Sequence, residues 1–309
     1  MPDAEASFGR ALALARGLVD QTGVPADSLV LAGILCDLGK LRRVAGDFDG
    51  AAAEFEKALT ICRKIPPSGP DGSTHVDVRF RMARCLASLG LLAQIKGDDP
   101  RAAELLGQAH SDLDKLVDES PTVEHRYEAA SVDQSLGKLL ARSKDQRDRA
   151  RSVFQDALKH WEVLAEQYPE SPAYRWGIAA TRQNLGDIDN TALHSQGDPK
   201  AARRSYEEAL KIWESEAAKP HALTLFAFNV ARTRFELGRL CLQEKRRDEA
   251  RTHLQEARGI WESLTEDEFR REYEVGYRDY LKNYLAELEQ PPPSGPEAKE
   301  ANGGKRPAP

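Results

Sequence analysis

One short motif in this chain of 309 residues has the form of a catalytic nucleophile site. Ser135 and Lys138 fit the pattern Ser-x-x-Lys, in which the lysine can take the proton of a serine that attacks an acyl group. The motif coincides with a pattern that recurs along the chain, and the residues equivalent to the serine vary: Asp37, Ser88, Asn184 and Glu236. We therefore interpret Ser135 and Lys138 as residues of a structural repeat.

The other residue types that carry chemistry form no recognised site. The seven histidines, at positions 75, 110, 125, 160, 194, 221 and 253, show neither HExxH nor any paired metal spacing. Two aspartate-rich segments, 47–50 and 187–190, lack the series of ligands that a calcium loop needs, and we interpret them as turns and helix caps. The phosphate-binding pattern Gly-x4-Gly-Lys-Ser/Thr is absent. The sequence therefore predicts a protein that is not an enzyme and has no metal or other cofactor.

The cysteines indicate the redox environment. The four residues lack CxxC spacing, and each falls in a helical pattern: Cys36, Cys62, Cys85 and Cys241. This favours small buried side chains in a reducing compartment over a disulfide framework or a metal site.

Charge and hydrophobicity narrow the possible partners. The net charge of −6 argues against a general nucleic-acid binder. The longest uncharged run, 220–231, is too short to span a membrane, and Arg10 and Arg16 interrupt the only apolar stretch near the N-terminus. We therefore expect a cytoplasmic protein with no nucleic-acid or membrane partner.

Two short patterns recur along the chain. The first, Ala-x3-Phe/Tyr/Leu-x2-Ala, begins at Ala4, Ala51, Ala102, Ala150, Ala202 and Ala250. The second, Ala-x5-Leu-Gly, places its glycines 51, 47, 49 and 52 residues apart, at Gly39, Gly90, Gly137, Gly186 and Gly238. A period of about 50 residues indicates one array of stacked units, each contacting its neighbours.

Helix is the element that the sequence supports, because apolar residues recur at steps of three and four. Clusters of Gly, Pro and Asp separate the helices. We expect a lone helix at about 4–22, five helix pairs between about 26 and 265, and a closing helix at about 267–289. These form one domain, 1–289, and the six prolines of 290–309 predict a disordered tail.

This spacing resembles the tetratricopeptide repeat (TPR), which has Leu-Gly in its first helix, A, and Ala-x3-Phe/Tyr-x2-Ala in its second helix, B. The resemblance covers 1–289 and implies an all-α fold, a right-handed α-solenoid of antiparallel helix hairpins. The period exceeds the usual value of about 34 residues. The bulky aromatic residue that the family has before Leu-Gly is replaced here by Leu35, Leu86, Asp133, Arg182 and Arg234.

The extra length is expected to lie in both helices of each pair. Trp161, Trp213 and Trp261 follow the B pattern, and an apolar column begins the A helices. We expect Trp213 to pack against Phe228, and Trp161 against Trp176, across the turn. The alternative is an exposed aromatic cage for a ligand. Four extra residues after Gly186 are expected either to lengthen helix A or to form a loop.

The segment 160–175 is similar to long-period TPR regions that follow serine/threonine kinase domains in some bacterial signalling proteins. The match is local, and the chain has no kinase motif of its own. Its first repeat is a B-type helix without an A partner, a pattern that fits both a stand-alone relative and a piece of a longer protein.

The TPR resemblance also implies a ligand surface, because A helices line the concave face in that family. The positions that would face this groove carry seven basic residues and one acidic residue, Asp187. The basic residues are Lys40, Arg43, Arg84, Lys138, Arg142, Arg232 and Arg239. Such a groove favours an acidic or phosphorylated protein segment. The alternative is that neighbouring acids neutralise these cations or that water solvates them.

The sequence thus predicts a scaffold that binds a protein partner, with bacterial signalling as one setting. A second hypothesis is self-association. The lone first helix should leave an apolar edge at Leu12, Leu14 and Leu18, and the ends of repeat arrays normally need polar caps.

Overall fold

A computed structural model describes residues 2–66, 73–190, 197–220, 224–264 and 275–289, which contain helices and no strand. The chain divides into two compact units, Met1–Pro169 and Glu170–Pro309. The described α-helices are α1 (Pro2–Thr22), α2 (Pro25–Val44), α3 (Phe48–Lys64), α4 (Ser73–Ile95), α5 (Asp99–Glu119), α6 (Val123–Ala141), α7 (Arg147–Gln167), α8 (Pro172–Asp189), α9 (Pro199–Ala217), α10 (Thr224–Gln243), α11 (Arg247–Ser263) and α12 (Val275–Glu289). A 3-10 helix, Lys144–Gln146, precedes α7.

Each unit is a stack of helix pairs. In the first unit, α1 packs on α2, and the pairs α2–α3, α4–α5 and α6–α7 follow. The first helices of these pairs also contact one another, α2 with α4 and α4 with α6. In the second unit, the pairs are α8–α9 and α10–α11, and α12 packs on α11. The predicted all-α fold of stacked helix pairs is confirmed, whereas the tail predicted at 290–309 lies outside the described residues.

The Leu-Gly motif is a contact between the two helices of a pair. A β-carbon at Gly137 of α6 would lie 2.6 Å from Cε1 of Phe154 on α7, closer than real contacts allow. In each of the other pairs, the glycine meets the central residue of the B motif in the same way: Phe55, Leu106, Tyr206 and Leu254. The glycine is therefore required by the close approach of the helices.

The alanines of both motifs are the second part of this contact. From Ala32 to Ala257, every motif alanine has no exposed surface. Small side chains at these positions let the two backbones come close, while the ring or leucine between them fills the gap.

Trp213 follows a different pairing from the predicted one. Trp213 of α9 packs on Trp176 of its own pair, with ring centroids 6.4 Å apart, and on Phe226 of α10 at 6.0 Å. The prediction of Phe228 was wrong by two residues, because α10 turns Phe226 toward α9 and Phe228 toward Trp261.

In the first unit, too, a tryptophan packs on the partner helix of its own pair. Trp161 of α7 packs on Tyr127 of α6, its partner helix, with centroids 5.3 Å apart. Since Trp161, Trp213 and Trp261 are all buried, they do not form an exposed aromatic cage.

Local signals set the helix ends. Asp47 and Asp98 cap α3 and α5 by accepting hydrogen bonds from the backbone of Gly50 and Arg101, as expected for aspartates in these turns. In the fourth pair, α8 ends at Asp189 and Asn190 is already extended. The extra residues after Gly186 therefore do not lengthen the A helix by a turn.

The glycine contact can be tested by adding one carbon. Gly137→Ala should lower the free energy of unfolding by up to about 2 kcal/mol, because overpacking costs about 1–3 kcal/mol and helix propensity returns about 1 kcal/mol. The matched control is Gly107→Ala on α5, whose β-carbon would meet Arg149 at an ordinary 3.7 Å. That change should stabilise by about 0.5–1 kcal/mol. Urea unfolding followed by circular dichroism measures both, and equal effects would contradict the contact.

Candidate functional site

The candidate site lies on the A helices of the first unit. We call it the first-unit A surface, formed by the adjacent helices α2, α4 and α6. Basic and apolar residues lie near the C-terminal ends of these helices, and one further arginine lies in the middle of α4. Its members are Lys40, Arg43, Val44, Arg84, Ile95, Lys138 and Arg142.

The ends of these A helices expose both charge and large apolar side chains. Val44 is 78% exposed and Ile95 is 50% exposed, and both follow their Leu-Gly glycine by five residues. Arg43 and Lys138 are exposed as well, and Arg142 occupies the same register position as Val44 and Ile95. The ends of these three helices thus present both apolar and basic side chains.

Not every position predicted to face the groove does so. The residue three before each Leu-Gly glycine is buried in all five pairs. The reason is the contact between neighbouring A helices, which this position fills in the first unit, where the Sγ atoms of Cys36 on α2 and Cys85 on α4 are 3.2 Å apart. The buried residues are Cys36, Ala87, Gln134, Gln183 and Phe235.

Most of the predicted basic residues have an acidic neighbour. Lys40 pairs with Asp37 on its own helix, with 3.0 Å between Nζ and Oδ1. Arg142 of the first unit reaches back to Asp99 of the preceding pair and donates to both carboxylate oxygens at 3.1 Å. The alternative of neutralisation by neighbouring acids therefore describes these residues well, and the surface is less positive than the count of cations suggests.

Arg84 joins two A helices. Its Nε lies 3.4 Å from Oε2 of Glu128 on α6, and its guanidinium covers the ring of Phe80 at 5.6 Å. Burial raises the pKa of Glu128, and Arg84 opposes that rise. Arg84 thus stabilises the contact between α4 and α6. Only the exposed part of its side chain is available to a ligand.

The predicted basic residues of the second unit, Arg232 and Arg239, do not form a cationic surface of the same kind. Arg232 of α10 pairs with Asp187 of α8, with 3.1 Å between Nη2 and Oδ2. Arg239 is only 7% exposed, pairs with buried Glu236 at 3.1 Å, and lies against the rings of Phe235 and Tyr284. Arg239 is thus an internal residue, which corrects its assignment to a groove.

The serine of the nucleophile motif is occupied by its own helix. Ser135 Oγ donates a hydrogen bond to the carbonyl oxygen of Ser131 at 3.0 Å. This is the ordinary state of a helical serine, and it agrees with the interpretation of the motif as part of the repeat.

A separate cleft of about 580 Å³ opens among the helices α3, α4, α5 and α7. Arg63 and Arg149 line it together with Glu104 and Asp112, and Gly107 forms part of its floor. Its balanced charges give no preference for an acidic ligand.

Comparison with known proteins identifies the fold. No family model and no curated protein matches the sequence. Among solved structures, BtubC (BKLC) from P. vanneervenii is similar at 19% identity, over 96% of this chain and 95% of that one, with a TM-score of 0.55. Nro1, described as a nuclear import adaptor, is similar at 10% identity, over 93% of both chains, with a TM-score of 0.54.

A looser likeness, with a TM-score of 0.44, is to the TPR-like repeats of a putative kinesin light chain from Podosopora anserina, at 17% identity over 73% of this chain and 92% of that one. The contacts within the helix pairs identify the fold. In each pair, a Leu-Gly glycine packs against the central residue of an Ala-x3-Phe/Tyr/Leu-x2-Ala motif. The fold is of the TPR type. Among the helices described, none has both the length and the apolarity that a membrane span needs.

The TPR-type fold also brings together one group of residues that spacing did not reveal. His110 and Asp114 of α5 meet Asp133 of α6, and His160 of α7 lies beside them. The sequence could have indicated this group, because two of its residues differ from those at the equivalent positions of the other repeats. Asp133 replaces Leu or Arg. His110 replaces Leu59, Leu158, Leu210 and Arg258.

The internal role of Arg239 predicts a large effect on stability. Arg239→Met should lower the free energy of unfolding by about 3–5 kcal/mol, because it leaves the carboxylate of Glu236 buried without this cation. The control is Arg43→Met, an exposed change that should stay within about 0.5 kcal/mol. Urea unfolding measures both. If Arg239→Met is as mild as the control, Arg239 is not the internal residue that its contacts indicate.

Proposed function

We propose that this chain is a non-catalytic scaffold that binds a segment of another protein on the first-unit A surface. The observation that carries the proposal is the joint exposure of apolar and basic side chains at the ends of three adjacent A helices, above all Arg43, Val44, Ile95 and Lys138. Covering Val44 and Ile95 with a partner would remove apolar surface from water, which favours binding.

The chemistry of the surface defines the partner. Arg43 and Lys138 favour carboxylates or phosphates, and the apolar side chains favour leucine-like residues between them. We therefore propose a ligand segment in which acidic or phosphorylated residues alternate with apolar ones. One structural neighbour, Nro1, is described as an adaptor, which supports a protein-binding role for an array of this kind.

The setting is part of the same proposal. The four cysteines are buried and free, which suits a reducing compartment such as the cytoplasm. The local similarity of 160–175 to TPR regions beside bacterial kinases makes a signalling pathway the setting that we propose.

Peptide binding tests the surface directly. The probes are a labelled peptide that alternates Glu with Leu, the same peptide with Gln for Glu, and one with Lys for Glu. Fluorescence anisotropy with the full chain should show binding of the Glu peptide only, weakening as salt rises because screening shortens the reach of the charges. Arg43→Glu and Lys138→Glu should each weaken binding about tenfold, a loss of about 1.4 kcal/mol.

The matched control is Arg101→Glu, which reverses an exposed arginine at the start of a B helix with the same change in net charge. Affinity that does not change with salt, or that falls equally in the control, would rule out a cationic surface. Val44→Ser with Ile95→Ser examines the apolar half. If the Glu peptide binds this variant as well as it binds the wild type, the apolar residues are not part of the interface.

A specific observation favours self-association as a second candidate function. Leu14 is 72% exposed and Leu18 is 48% exposed, one turn apart on α1, while Ala15 between them is buried against the fold. Arg16 and Asp20 lie on the opposite flank of the same helix. Leu14 and Leu18 thus form a small apolar patch on α1 that is open to a second copy.

Sedimentation velocity distinguishes this candidate from a monomeric scaffold. Wild type should form a dimer whose fraction rises with concentration, and Leu14→Glu should abolish it by placing a charge in the apolar contact. Arg16→Glu on the other flank should leave it intact. A wild-type chain that stays monomeric at every concentration measured would exclude α1 as an interface.

A further inference from the structure

A group of histidine and aspartate side chains in the first unit lies apart from the A surface. His110 and Asp114 are one turn apart on α5, Asp133 is on α6, and each of the three offers a ligand atom within 4.8 Å of the other two. His160 of α7 approaches from the third helix, with 3.9 Å between its Nε2 and Oδ1 of Asp114. Two helices thus bring an imidazole and two carboxylates together, and a second imidazole lies beside Asp114 on a third helix.

We propose that these residues form a binding site for a divalent transition metal of the zinc type. His110, Asp114 and Asp133 would be the ligands, and His160 would complete the set from α7. Two imidazoles with two carboxylates suit Zn²⁺ and its neighbours in the first transition row, whereas Mg²⁺ and Ca²⁺ prefer oxygen ligands alone.

Small side-chain movements would bring these ligands to one ion. Ligand atoms of a tetrahedral zinc site lie about 3.3 Å apart, given bonds of about 2.0–2.2 Å. Nε2 of His110 is 3.5 Å from Oδ2 of Asp114. Nδ1 of His110 is 2.6 Å from Oδ1 of Asp133, a hydrogen-bond distance. Since an imidazole binds an ion through one nitrogen, a metal at Nδ1 would replace that proton and separate the two side chains slightly, and Asp114 would have to turn toward it from its place beside Nε2.

Asp133 provides the independent observation. Its side chain has no exposed surface, and its Oδ2 has no hydrogen-bond partner among the residues that the structure describes. A buried carboxylate oxygen without a partner is costly, and a bound cation removes that cost.

The repeat shows that this carboxylate is not needed for packing. Leu35 and Leu86 occupy the same register position in the two preceding pairs, so the array accepts an apolar side chain there. Asp114 is the most exposed of the four residues, which leaves a path for an ion from solvent.

Titration of the full chain with ZnCl₂ tests the proposal. Isothermal titration calorimetry should show one equivalent bound, and MgCl₂ in excess should not compete. Zn²⁺ should also raise the melting temperature, since it binds the folded state. With Co²⁺ in place of Zn²⁺, visible d–d absorption should appear without the ultraviolet sulfur-to-cobalt band that a thiolate site produces.

Substitutions of partly exposed residues separate a loss of Zn²⁺ binding from a loss of folding. Asp114→Asn and His160→Gln alter partly exposed residues and should each weaken Zn²⁺ binding by about tenfold or more. Asp118→Asn, an exposed change on the same helix, should leave it unchanged. Asp133→Asn keeps the shape of the buried ligand, and its circular dichroism reports whether it folds.

Cys36 and Cys85 offer the competing explanation, because their Sγ atoms lie 3.2 Å apart in the same unit. Cys85→Ser should leave Zn²⁺ binding unchanged. The proposal is overturned if Cys85→Ser abolishes binding while Asp114→Asn retains it. It is also overturned if the wild-type chain shows no saturable binding, or if Asp118→Asn weakens binding as much as Asp114→Asn does.

Discussion

The contact between a helical glycine and the side chain that fills its place is the constraint on which the fold depends. A glycine within a helix costs about 1 kcal/mol relative to alanine. The chain bears this cost in five pairs because the space is taken by Phe55, Leu106, Phe154, Tyr206 and Leu254. No larger residue fits, so the two helices of each pair are fixed in distance and in register. The buried motif alanines follow from the same close approach.

That register decides which side chains reach the surface. Once the Leu-Gly glycine faces the B helix, the residue three before it turns toward the neighbouring A helix, and those five or more after it turn outward. In the first unit, neighbouring pairs are held together partly by charge: Arg84–Glu128 joins α4 to α6, and Arg142–Asp99 joins the end of α6 to α5. The cations that suggest a ligand groove in the sequence therefore also hold the repeats together.

The sequence was sufficient to predict the helices, their pairing and the glycine contact, because all three depend on periodicity within about 50 residues. It was not sufficient for the acidic partners of the basic residues, since Glu128 and Asp99 lie about one repeat away from the arginines that they contact. It also misplaced the contact of Trp213. The point at which α10 begins sets which ring faces α9, and a shift of two residues along a helix moves a side chain to another face.

The group around Asp133 shows why single departures from a repeat are informative. Periodicity identifies what every unit needs, and a residue that one unit alone carries must be explained by something other than the shared packing. Leucine at this position costs nothing, whereas a buried aspartate costs free energy unless a partner compensates it. His110, 23 residues away and on another helix, compensates one of the two carboxylate oxygens. The second oxygen lacks such a partner among the described residues, and the side chains of Asp114 and His160 lie nearby. These two features distinguish the proposed cation site from a simple buried ion pair.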